Sequence, residues 1–347
     1  MVERFIIRGL LVLLMCIFEC AHVTYAFGRV QQQERLTIRL NWFLNVEDAG
    51  LLWQYVNGAY RKHDIALTVI PYDKKNNACE AVAHNIADIA IEDTAVFAKC
   101  RETYPELVAF AAKFQLNPVA ISVLDPQIKT LEDLKGQIVS TAYGYEAYTD
   151  IFRKMMGFSD NDLHVLRHTW AGEGMQWLIE GKTKASFDFE PDQGVAYRMR
   201  GYHPRIFRSY RFGYDLYGQV YIGKQEYIRQ HVGLLARFLH ITEEGWKVAF
   251  TDPQSVATTI VKTYYPYRPG QSYLQSSEEH LQHQVKEIML FKPYMQHGVG
   301  ERMMYMVDSV WERNIKALQE MGMISAKGLA TDYYTLEVVR RLYLRKG

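Results

Sequence analysis

Residues 40–60 read LNWFLNVEDAGLLWQYVNGAY. The apolar run from Leu36 predicts a strand that ends at Asn41-Trp42, a polar turn follows, and a helical pattern begins near Gly50. In a parallel α/β sheet, ligands bind just beyond the carboxyl ends of the strands. The stretch alone leaves two interpretations of Trp42 open: its indole presents a flat apolar face to a ligand, or it is a core residue that falls at a strand end.

Outward from this stretch, short β-like runs alternate with amphipathic helical stretches, a pattern that is typical of α/β architecture. Residues 51–63 predict one helix that ends near His63. The helix–strand unit at residues 78–92 matches a second unit at residues 174–190 in length, apolar spacing and the glutamate at the strand's end. Such a repeat predicts two similar lobes rather than one large sheet.

Two β-rich runs are predicted to connect the lobes, at residues 119–125 and 216–224. Paired crossings of this kind form a hinge of limited freedom. From Glu226 onward the pattern is almost entirely helical. We therefore predict that the first lobe comprises residues 36–122 and 222–347, with the C-terminal helices, and that the second lobe comprises residues 123–221.

Composition excludes some partners. The chain has 347 residues, which is enough for two domains with real cores, and its formal net charge is +1, from 40 Lys and Arg against 39 Asp and Glu. This balance predicts no binding of nucleic acid or of acidic membranes. The 24 tyrosines suit, besides a core, a site that recognises a flat small molecule with a polar edge.

Residues 1–26 have the pattern of a secretory signal peptide. Arg4 and Arg8 precede an apolar stretch, and small residues at Thr24 and Ala26 predict cleavage after about Ala26. The alternative is an uncleaved membrane anchor, but Glu19 interrupts the apolar run well short of the ~20 residues that span a bilayer. The sequence predicts an exported, periplasmic protein.

Cleavage would leave two of the four cysteines, Cys79 and Cys100. They either form one disulfide in an oxidising compartment or remain two unrelated buried thiols. The second interpretation is the one the sequence favours. No paired CxxC motifs or His/Cys clusters occur, and we expect no metal site.

Several motifs together resemble a known family. They are LNWFLNVEDAG (residues 40–50), IADIAIED (86–93), VAISVLDPQIKTLEDLKG (119–136), STAYGYEAY (140–148) and MGMISAKGLATDYYTLEVV (321–339). In this order the chain resembles bacterial periplasmic solute-binding proteins related to thiamine-pyrimidine synthase, from about Leu36 to the C-terminus. The resemblance implies a two-lobe, type II periplasmic-binding-protein fold that serves an ABC importer.

The enzymes of this family need separate treatment, because they consume pyridoxal phosphate and one of their own histidines, with iron near a cysteine-rich segment. The positions that match their lysine and histidine are Glu92 and Val96 here, and the matching segment at residues 212–223 contains no cysteine. Without an amine to form a Schiff base, that chemistry lacks its nucleophile. No Gly-x-Ser-x-Gly, P-loop or His-Glu-x-x-His motif occurs either. We expect no enzyme and no cofactor.

In the first lobe, the predicted ligand-binding residues are Trp42, Asp48 and Glu92. The resemblance places Trp42 in the cleft, where it would stack on a flat ligand. Asp48 either caps the following helix, the favoured interpretation, or reaches the ligand. Glu92 ends a strand, as Glu190 does in the second lobe, and the two are expected to face each other across the cleft.

In the second lobe, the turn Tyr143-Gly144-Tyr145 precedes a helix, and in relatives such a turn binds polar parts of the ligand. Trp170, Glu190 and Tyr217 complete the predicted site, and Trp170 has the alternative of a core position. Ionised carboxylates only accept hydrogen bonds, so they favour ligands with N–H donors or positive charge over sulfonate or nitrate.

These observations predict a monomeric periplasmic receptor that delivers a small nitrogenous aromatic solute, resembling a pyrimidine precursor of thiamine, to an ABC permease in the inner membrane. One alternative is a ligand-sensing subunit for a membrane signalling protein, and another is an exported pyrimidine synthase. The sequence does not separate transport from sensing.

Overall fold

The computed structural model describes residues 33–73, 77–143, 145–169, 171–213, 215–268, 274–298 and 302–344. The predicted signal peptide, residues 1–26, lies outside the described residues. Residues 35–347 form one compact unit. The strands of the described part are, in chain order, β1 Glu34–Arg39, β2 Ile65–Ile70, β3 Ile89–Asp93, β4 Leu107–Ala112, β5 Val119–Val123, β6 Gln137–Ala142, β7 Leu163–His168, β8 Ala185–Phe189, β9 Arg205–Arg208 and β10 Gln219–Lys224.

The strands form two five-stranded sheets. The first has the order β2-β1-β3-β10-β4 and the second the order β7-β6-β8-β5-β9. In the first sheet β1 and β3 are parallel, and β10 runs antiparallel to both β3 and β4. In the second, β6 is parallel to β7 and β8, and β5 is antiparallel to β8 and β9. The α/β class and the two similar sheets confirm the predicted fold. We call the elements around the first sheet lobe one and those around the second lobe two.

Helices flank both sheets and make up the C-terminal part. They are α1 Ala49–Val56, α2 Ala59–Lys62, α3 Ala78–Ala83, α4 Thr94–Cys100, α5 Glu146–Met156, α6 Ala171–Ile179, α7 Val195–Met199, α8 Gln225–Gln230, α9 Val232–Thr251, α10 Pro253–Thr263, α11 Ser277–Met295, α12 Asp308–Glu320 and α13 Glu337–Leu344. A 3₁₀ turn at Val46–Asp48 precedes α1, and a π-helix at Glu190–Gly194 follows β8. Among the described helices, none is both long and apolar enough to cross a membrane.

The predicted single helix at residues 51–63 is two helices in the structure. Asn57 ends α1, and Gly58 begins α2 with a φ of 68°. An L-residue rarely adopts this left-handed conformation, whereas glycine does so without steric cost. The break at Asn57-Gly58 therefore depends on the backbone conformation of Gly58, which the spacing of apolar residues does not predict.

The chain passes between the sheets twice, as predicted, but not at the predicted residues. The boundaries after residues 122 and 221 fall inside β5 and β10, and each of these strands pairs within a single sheet. The crossings therefore lie just before the two strands, at residues 113–118 and 209–218. How the lobes divide the C-terminal helices stays a prediction.

Helices α1 and α9 approach each other at two glycines. A Cβ on Gly245 would lie 2.1 Å from the carbonyl oxygen of Gly50, and a Cβ on Gly50 would lie 2.3 Å from the Trp246 ring. Both distances are far below van der Waals contact, so only glycine fits either position. This contact holds α1, and with it the 3₁₀ turn at Val46–Asp48, against the C-terminal helices.

Helix α11 lies across both lobes. It packs on the 3₁₀ turn in lobe one and on the π-helix and α7 in lobe two. Phe291 stacks on Phe114 of the first crossing, with ring centroids 5.3 Å apart, and lies 6.1 Å from Phe189 at the end of β8. One helix thus contacts the first crossing and the strand ends of both lobes.

Cys79 and Cys100 form a disulfide that joins α3 to α4. The expectation of two unrelated thiols is wrong. The two helices flank β3, one before it and one after it, so folding brings together cysteines 21 positions apart. A disulfide is consistent with an oxidising compartment.

Candidate functional site

The strand ends of both lobes come together in a region that is rich in carboxylates, which we call the cleft. In lobe one, β1 and β3 end there, and the antiparallel β10 begins there, since Gln219 pairs with Asp93. In lobe two, β8 ends at the same cleft, and the π-helix that follows it carries Asp192. Ligands of open α/β sheets bind at this edge.

The floor of the cleft is a buried cluster of Glu47, Asp48, Lys113 and Gln219. The Lys113 ammonium lies 2.7 Å from Asp48 Oδ1 and 3.3 Å from Glu47 Oε1. Gln219 Nε2 donates to Glu47 Oε1 at 2.8 Å. Burial raises the pKa of Glu47, the Lys113 charge opposes that rise, and Asp48 adds to it. One cation therefore serves two acids at the cleft floor.

Asp48 does not cap α1, contrary to the favoured sequence interpretation. Asp48 occupies the N-cap position, but its side chain makes no capping hydrogen bond and pairs with Lys113 instead. The side chain of Asn45 accepts from the Glu47 N–H and caps the 3₁₀ turn. Contact between Asp48 and a ligand stays a prediction.

Glu92 and Asp93 stand at the end of β3. Glu92 is buried as predicted for a cleft residue, and burial raises its pKa to about 8, with the neighbouring Asp93 charge adding to the rise. Asp93 caps α4 by accepting from the Ala95 N–H, and it also accepts from the Tyr148 hydroxyl of lobe two. Burial raises the pKa of Asp93 to about 7. Asp93 thus joins the two lobes directly.

Tyr145 lies among carboxylates from both lobes. Burial raises the pKa of its phenol well above the usual value, and the charges of four acids add to the rise: Glu47, Asp93, Asp192 and Glu92, in decreasing order. The ring lies 5.7 Å from that of Tyr148 on the same helix end. An aromatic face surrounded by carboxylates attracts a cation through both its quadrupole and their charge.

Unpaired polar atoms gather at the same edge of the sheets. Within the part of the chain that the structure describes, the following buried atoms have no hydrogen-bond partner at the strand ends or next to them: Asn41 Oδ1, Asp48 Oδ2, Thr94 Oγ1, Thr141 Oγ1 and Gln219 Oε1. Buried polar atoms are nearly always paired, and unpaired ones need an explanation such as a ligand or ordered water. Their common position marks the cleft as the place where a polar ligand would be received.

Trp42 lies at the rim of the cleft rather than in the core. Its ring is partly exposed and stacks on Tyr72 with centroids 6.0 Å apart, while Phe43 meets it edge-on at 5.1 Å. The structure therefore contradicts the interpretation of Trp42 as a core residue. Stacking on a ligand stays a prediction.

Glu190 has other partners than the predicted ligand. Both of its oxygens accept from the Arg208 guanidinium, at 2.7 and 2.6 Å, and Oε2 also accepts from the Tyr294 hydroxyl at 2.5 Å. Glu190 is buried, and these bonds tie the π-helix to β9 and to α11. Glu190 therefore acts structurally in this arrangement.

The remaining predicted residues fall in different places. Tyr217 is buried in the core of lobe one, where its ring packs on Trp311 and its hydroxyl accepts from the Val307 N–H. We predicted that Tyr217 lines the cleft, and the structure instead places it in the core. Tyr143 is 62% exposed, and the structure shows no enclosed position for its ring. Gly144 and Trp170 lie outside the described residues.

A second pocket, of about 400 Å³, opens beside Glu190 on lobe two and α11. Arg198, Arg208 and Lys286 line it, over an apolar floor that includes Met199 and Leu290. Arg208 is already paired with Glu190, whereas Arg198 and Lys286 are exposed. This pocket has the charge that an anion requires.

Sequence reasoning missed most of the charged cluster: Glu47, Asp93, Lys113, Asp192 and Gln219. The only signal was Lys113 itself, a lysine directly after the fully buried strand β4. A lysine at the end of such a strand needs a buried acid, but nothing in the local sequence says which.

Comparisons with known proteins agree on the fold. The sequence model of the family described as NMT1/THI5 like matches residues 45–256. The periplasmic aliphatic sulphonate binding protein SsuA from Escherichia coli is 13% identical, with a TM-score of 0.63 over 89% of this chain and 91% of that one. The alkanesulfonate-binding SsuA from Xanthomonas axonopodis pv. citri, bound to MOPS, is 12% identical, with a TM-score of 0.62 over 87% and 98%.

An enzyme shares the fold as well. The desulfurization enzyme DSZB is 10% identical, with a TM-score of 0.58 over 91% of this chain and 100% of that one. Curated protein sequences give no significant match. At these identities the similarity to solved structures establishes the fold and does not identify a ligand.

Proposed function

Because the chain belongs to the NMT1/THI5-like family, we propose that it is the periplasmic substrate-binding protein of an ABC importer. Its solute is a small nitrogenous aromatic compound that resembles the pyrimidine precursor of thiamine. The signal-peptide pattern of residues 1–26 and the disulfide between Cys79 and Cys100 support export to the periplasm. The partner is a permease in the inner membrane, and the receptor acts as a monomer.

The acidic cleft is the observation that carries the choice of solute. Glu47, Glu92, Asp93 and Asp192 surround Tyr145, and Lys113 is the cation at the cleft floor. Carboxylates accept hydrogen bonds from N–H groups, and an aromatic ring stacks on a flat heterocycle. An aminopyrimidine supplies both complements, with its amino N–H groups as donors and its ring as the stacking face.

A sulfonate is the second candidate solute, since sulfonate-binding proteins share the fold. Those acids of the cleft that are ionised would repel it, whereas Glu92, with a pKa of about 8, is protonated at neutral pH and would not. The basic pocket lined by Arg198, Arg208 and Lys286 is the place on this chain that suits a sulfonate. Binding there would leave the cleft free.

Two further alternatives concern the partner and the reaction. A sensor subunit would use the same cleft and would report closure to a membrane signalling protein; a neighbouring gene for such a protein, in place of permease and ATPase genes, would favour it. A pyrimidine synthase would need an amine for pyridoxal phosphate, and Glu92 stands where the family's lysine is expected. Pyridoxal phosphate absorbance on the purified protein would support that alternative.

The test begins with mass spectrometry of compounds that co-purify with the mature protein. A thermal-shift screen then compares aminopyrimidines with alkanesulfonates. A ligand at 100 times its dissociation constant stabilises the fold by about 2.7 kcal/mol, which such a screen detects. We expect shifts with aminopyrimidines and none with sulfonates.

Paired variants locate the site. Tyr145→Ala is expected to weaken aminopyrimidine binding about five- to thirtyfold, since a lost stacking contact and cation–π contact together are worth roughly 1–2 kcal/mol. Tyr202→Ala, at an exposed tyrosine of lobe two, is the control. A sulfonate response that disappears in Arg198→Gln would instead establish the second candidate.

A further inference from the structure

Asp192, His283 and Glu287 form a compact group at the junction of lobe two and α11. One potential ligand atom from each lies within 4.8 Å of the other two. His283 and Glu287 are four residues apart on α11 and share one face of the helix, and Asp192 comes from the π-helix. The side chains of His283 and Glu287 are buried, with 1% and 2% exposure.

One ligand atom from each residue is near enough to the others to share an ion, within 4.8 Å. His283 Nε2 lies 3.2 Å from Asp192 Oδ1 and 3.0 Å from the Asp192 carbonyl oxygen, and Nδ1, on the other side of the ring, lies 3.8 Å from Glu287 Oε2. An ion would bind only one of these two nitrogens. Zinc bonds of about 2.0–2.2 Å in a tetrahedron separate the ligand atoms by about 3.3 Å. Small side-chain movements would therefore complete a three-ligand site and leave its fourth position open.

Gln284 supplies an independent observation. Its Nε2 lies 3.2 Å from His283 Nδ1 and 3.0 Å from Glu287 Oε2, so a donor stands between the two acceptors. Its Oε1 is buried and has no hydrogen-bond partner among the described residues. Turned by 180°, the Gln284 amide would place Oε1 beside His283 Nδ1 and Glu287 Oε2, where it would accept from a His283 N–H or bind the metal.

We propose that Asp192, His283 and Glu287 bind a transition-metal ion of the Zn²⁺ class and thereby clip lobe two to α11. Imidazole with two carboxylates suits zinc, whereas Mg²⁺ and Ca²⁺ prefer oxygen ligands throughout. The ion would offset the repulsion between the carboxylate of Asp192 and that of the buried Glu287. This site differs from the solute site at Tyr145, although Asp192 borders both.

The experiment uses the mature protein with any affinity tag removed, stripped with EDTA and dialysed. Inductively coupled plasma mass spectrometry after incubation with ZnCl₂ and gel filtration is expected to find about one zinc per chain, and calorimetry to give one site. The melting temperature should rise with ZnCl₂ and stay unchanged with MgCl₂ or CaCl₂.

Three variants assign the site. His283→Asn should retain under a tenth of an equivalent of zinc, and Glu287→Gln, which keeps the side chain's volume, should weaken zinc binding at least tenfold with an unchanged circular dichroism spectrum. His240→Asn, at an exposed histidine on α9, should bind zinc as the wild type does. No zinc in the wild type, or full zinc in both site variants, would overturn the proposal. Solute binding is titrated separately, so a missing metal site leaves the proposed function standing.

Discussion

Lys113 is the residue on which the cleft floor depends. Its ammonium is fully buried and serves Asp48 and Glu47 at once. A buried ion pair contributes little net stability compared with an apolar pair of the same volume, but the loss of one partner is costly because it leaves a buried charge without compensation. The loss of Lys113 would leave two buried acids, Asp48 and Glu47, without a compensating charge.

We expect Lys113→Met to lower the free energy of unfolding by about 3–5 kcal/mol, measured by urea denaturation at pH 7. Methionine keeps the chain length and removes the charge. Lys184→Met is the control, since its ion pair with Asp125 is partly exposed and should be worth at most about 1 kcal/mol. Equal effects of the two variants would contradict the role assigned to Lys113.

Glu92 gives the protein a dependence on pH with a defined sign. Its usual pKa is 4.5 and its folded pKa is about 8, so between these values the folded state holds a proton that the unfolded state has lost. Stability is therefore complete below about pH 4.5 and falls as the pH rises towards 8. One such group contributes a slope of up to about 1.4 kcal/mol per pH unit.

Glu92→Gln imitates the protonated carboxyl group. We expect the variant to match the wild type near pH 5 and to be more stable near pH 8.5, with a shallower slope of melting temperature against pH between them. Asp93 and Asp188, whose pKa values burial raises to about 7, preserve part of the slope. The exposed Glu106→Gln serves as control. A variant less stable than the wild type at pH 8.5 would show that the fold does not raise the pKa of Glu92.

At the residue scale, position relative to strand ends was predictable and pairing was not. Glu92 was assigned to the cleft because it ends a strand, and Tyr145 because its turn begins a helix. Lys113 meets Glu47 across 66 residues of sequence, and Tyr148 meets Asp93 across 55. No local pattern reports such pairs, and for the same reason the sequence gives no sign of the hydrogen bonds that Glu190 accepts from Arg208 and Tyr294.

Among the elements, α1 and α9 illustrate how close packing fixes part of the site. Gly50 and Gly245 let the helix backbones meet, and α1 follows directly on the 3₁₀ turn that carries Glu47 and Asp48. An error in this contact would shift the acids of the cleft floor.

Gly245→Ala is expected to destabilise the protein by at least about 1–3 kcal/mol, because the new methyl group would collide with the Gly50 carbonyl. Gly233→Ala on the same helix has its nearest neighbour at 4.0 Å and should be neutral or slightly stabilising, since alanine favours helix. Chemical denaturation of both variants measures the difference. Equal stability of the two variants would show that α1 and α9 are farther apart at Gly245 than in this structure.

The elements themselves were largely predictable, because strands and helices alternate with clear periodicity in both lobes. The exceptions have physical causes. Gly58 divides a continuous helical pattern, and the disulfide depends on how α3 and α4 flank β3. The position of α11 across both lobes depends on aromatic contacts with Phe114 and Phe189 that lie far away in sequence.

For the molecule as a whole, closure of the lobes involves Tyr148 of α5 and Asp93 of β3. The loss of this bond should shift the equilibrium of the lobes towards more open forms. The apparent affinity of a ligand that binds the closed form then falls in proportion to the population of that form.

We expect Tyr148→Phe to weaken solute binding about five- to tenfold, as a hydrogen bond of ~1–1.5 kcal/mol allows, with most of the change in the dissociation rate. Small-angle X-ray scattering of the solute-free variant should show a larger radius of gyration. Tyr334→Phe is a matched control, since Tyr334 also donates to an aspartate, Asp308, but both residues belong to the C-terminal part of the chain. Unchanged affinity and scattering in Tyr148→Phe would show that this bond does not govern closure.

The order of strands in the first sheet has a consequence for how the protein is made. β3 and β4 do not pair with each other; each pairs with β10, which is synthesised only after all five strands of the second sheet. Until then the emerging chain has two open edges and no means of closing its first core, and open edges invite chaperones. The late strand therefore delays closure of the first sheet until the last sheet strand has been made. Such a delay would suit the export proposed for this chain, because a chain that crosses a membrane through a channel has to stay unfolded until it has passed.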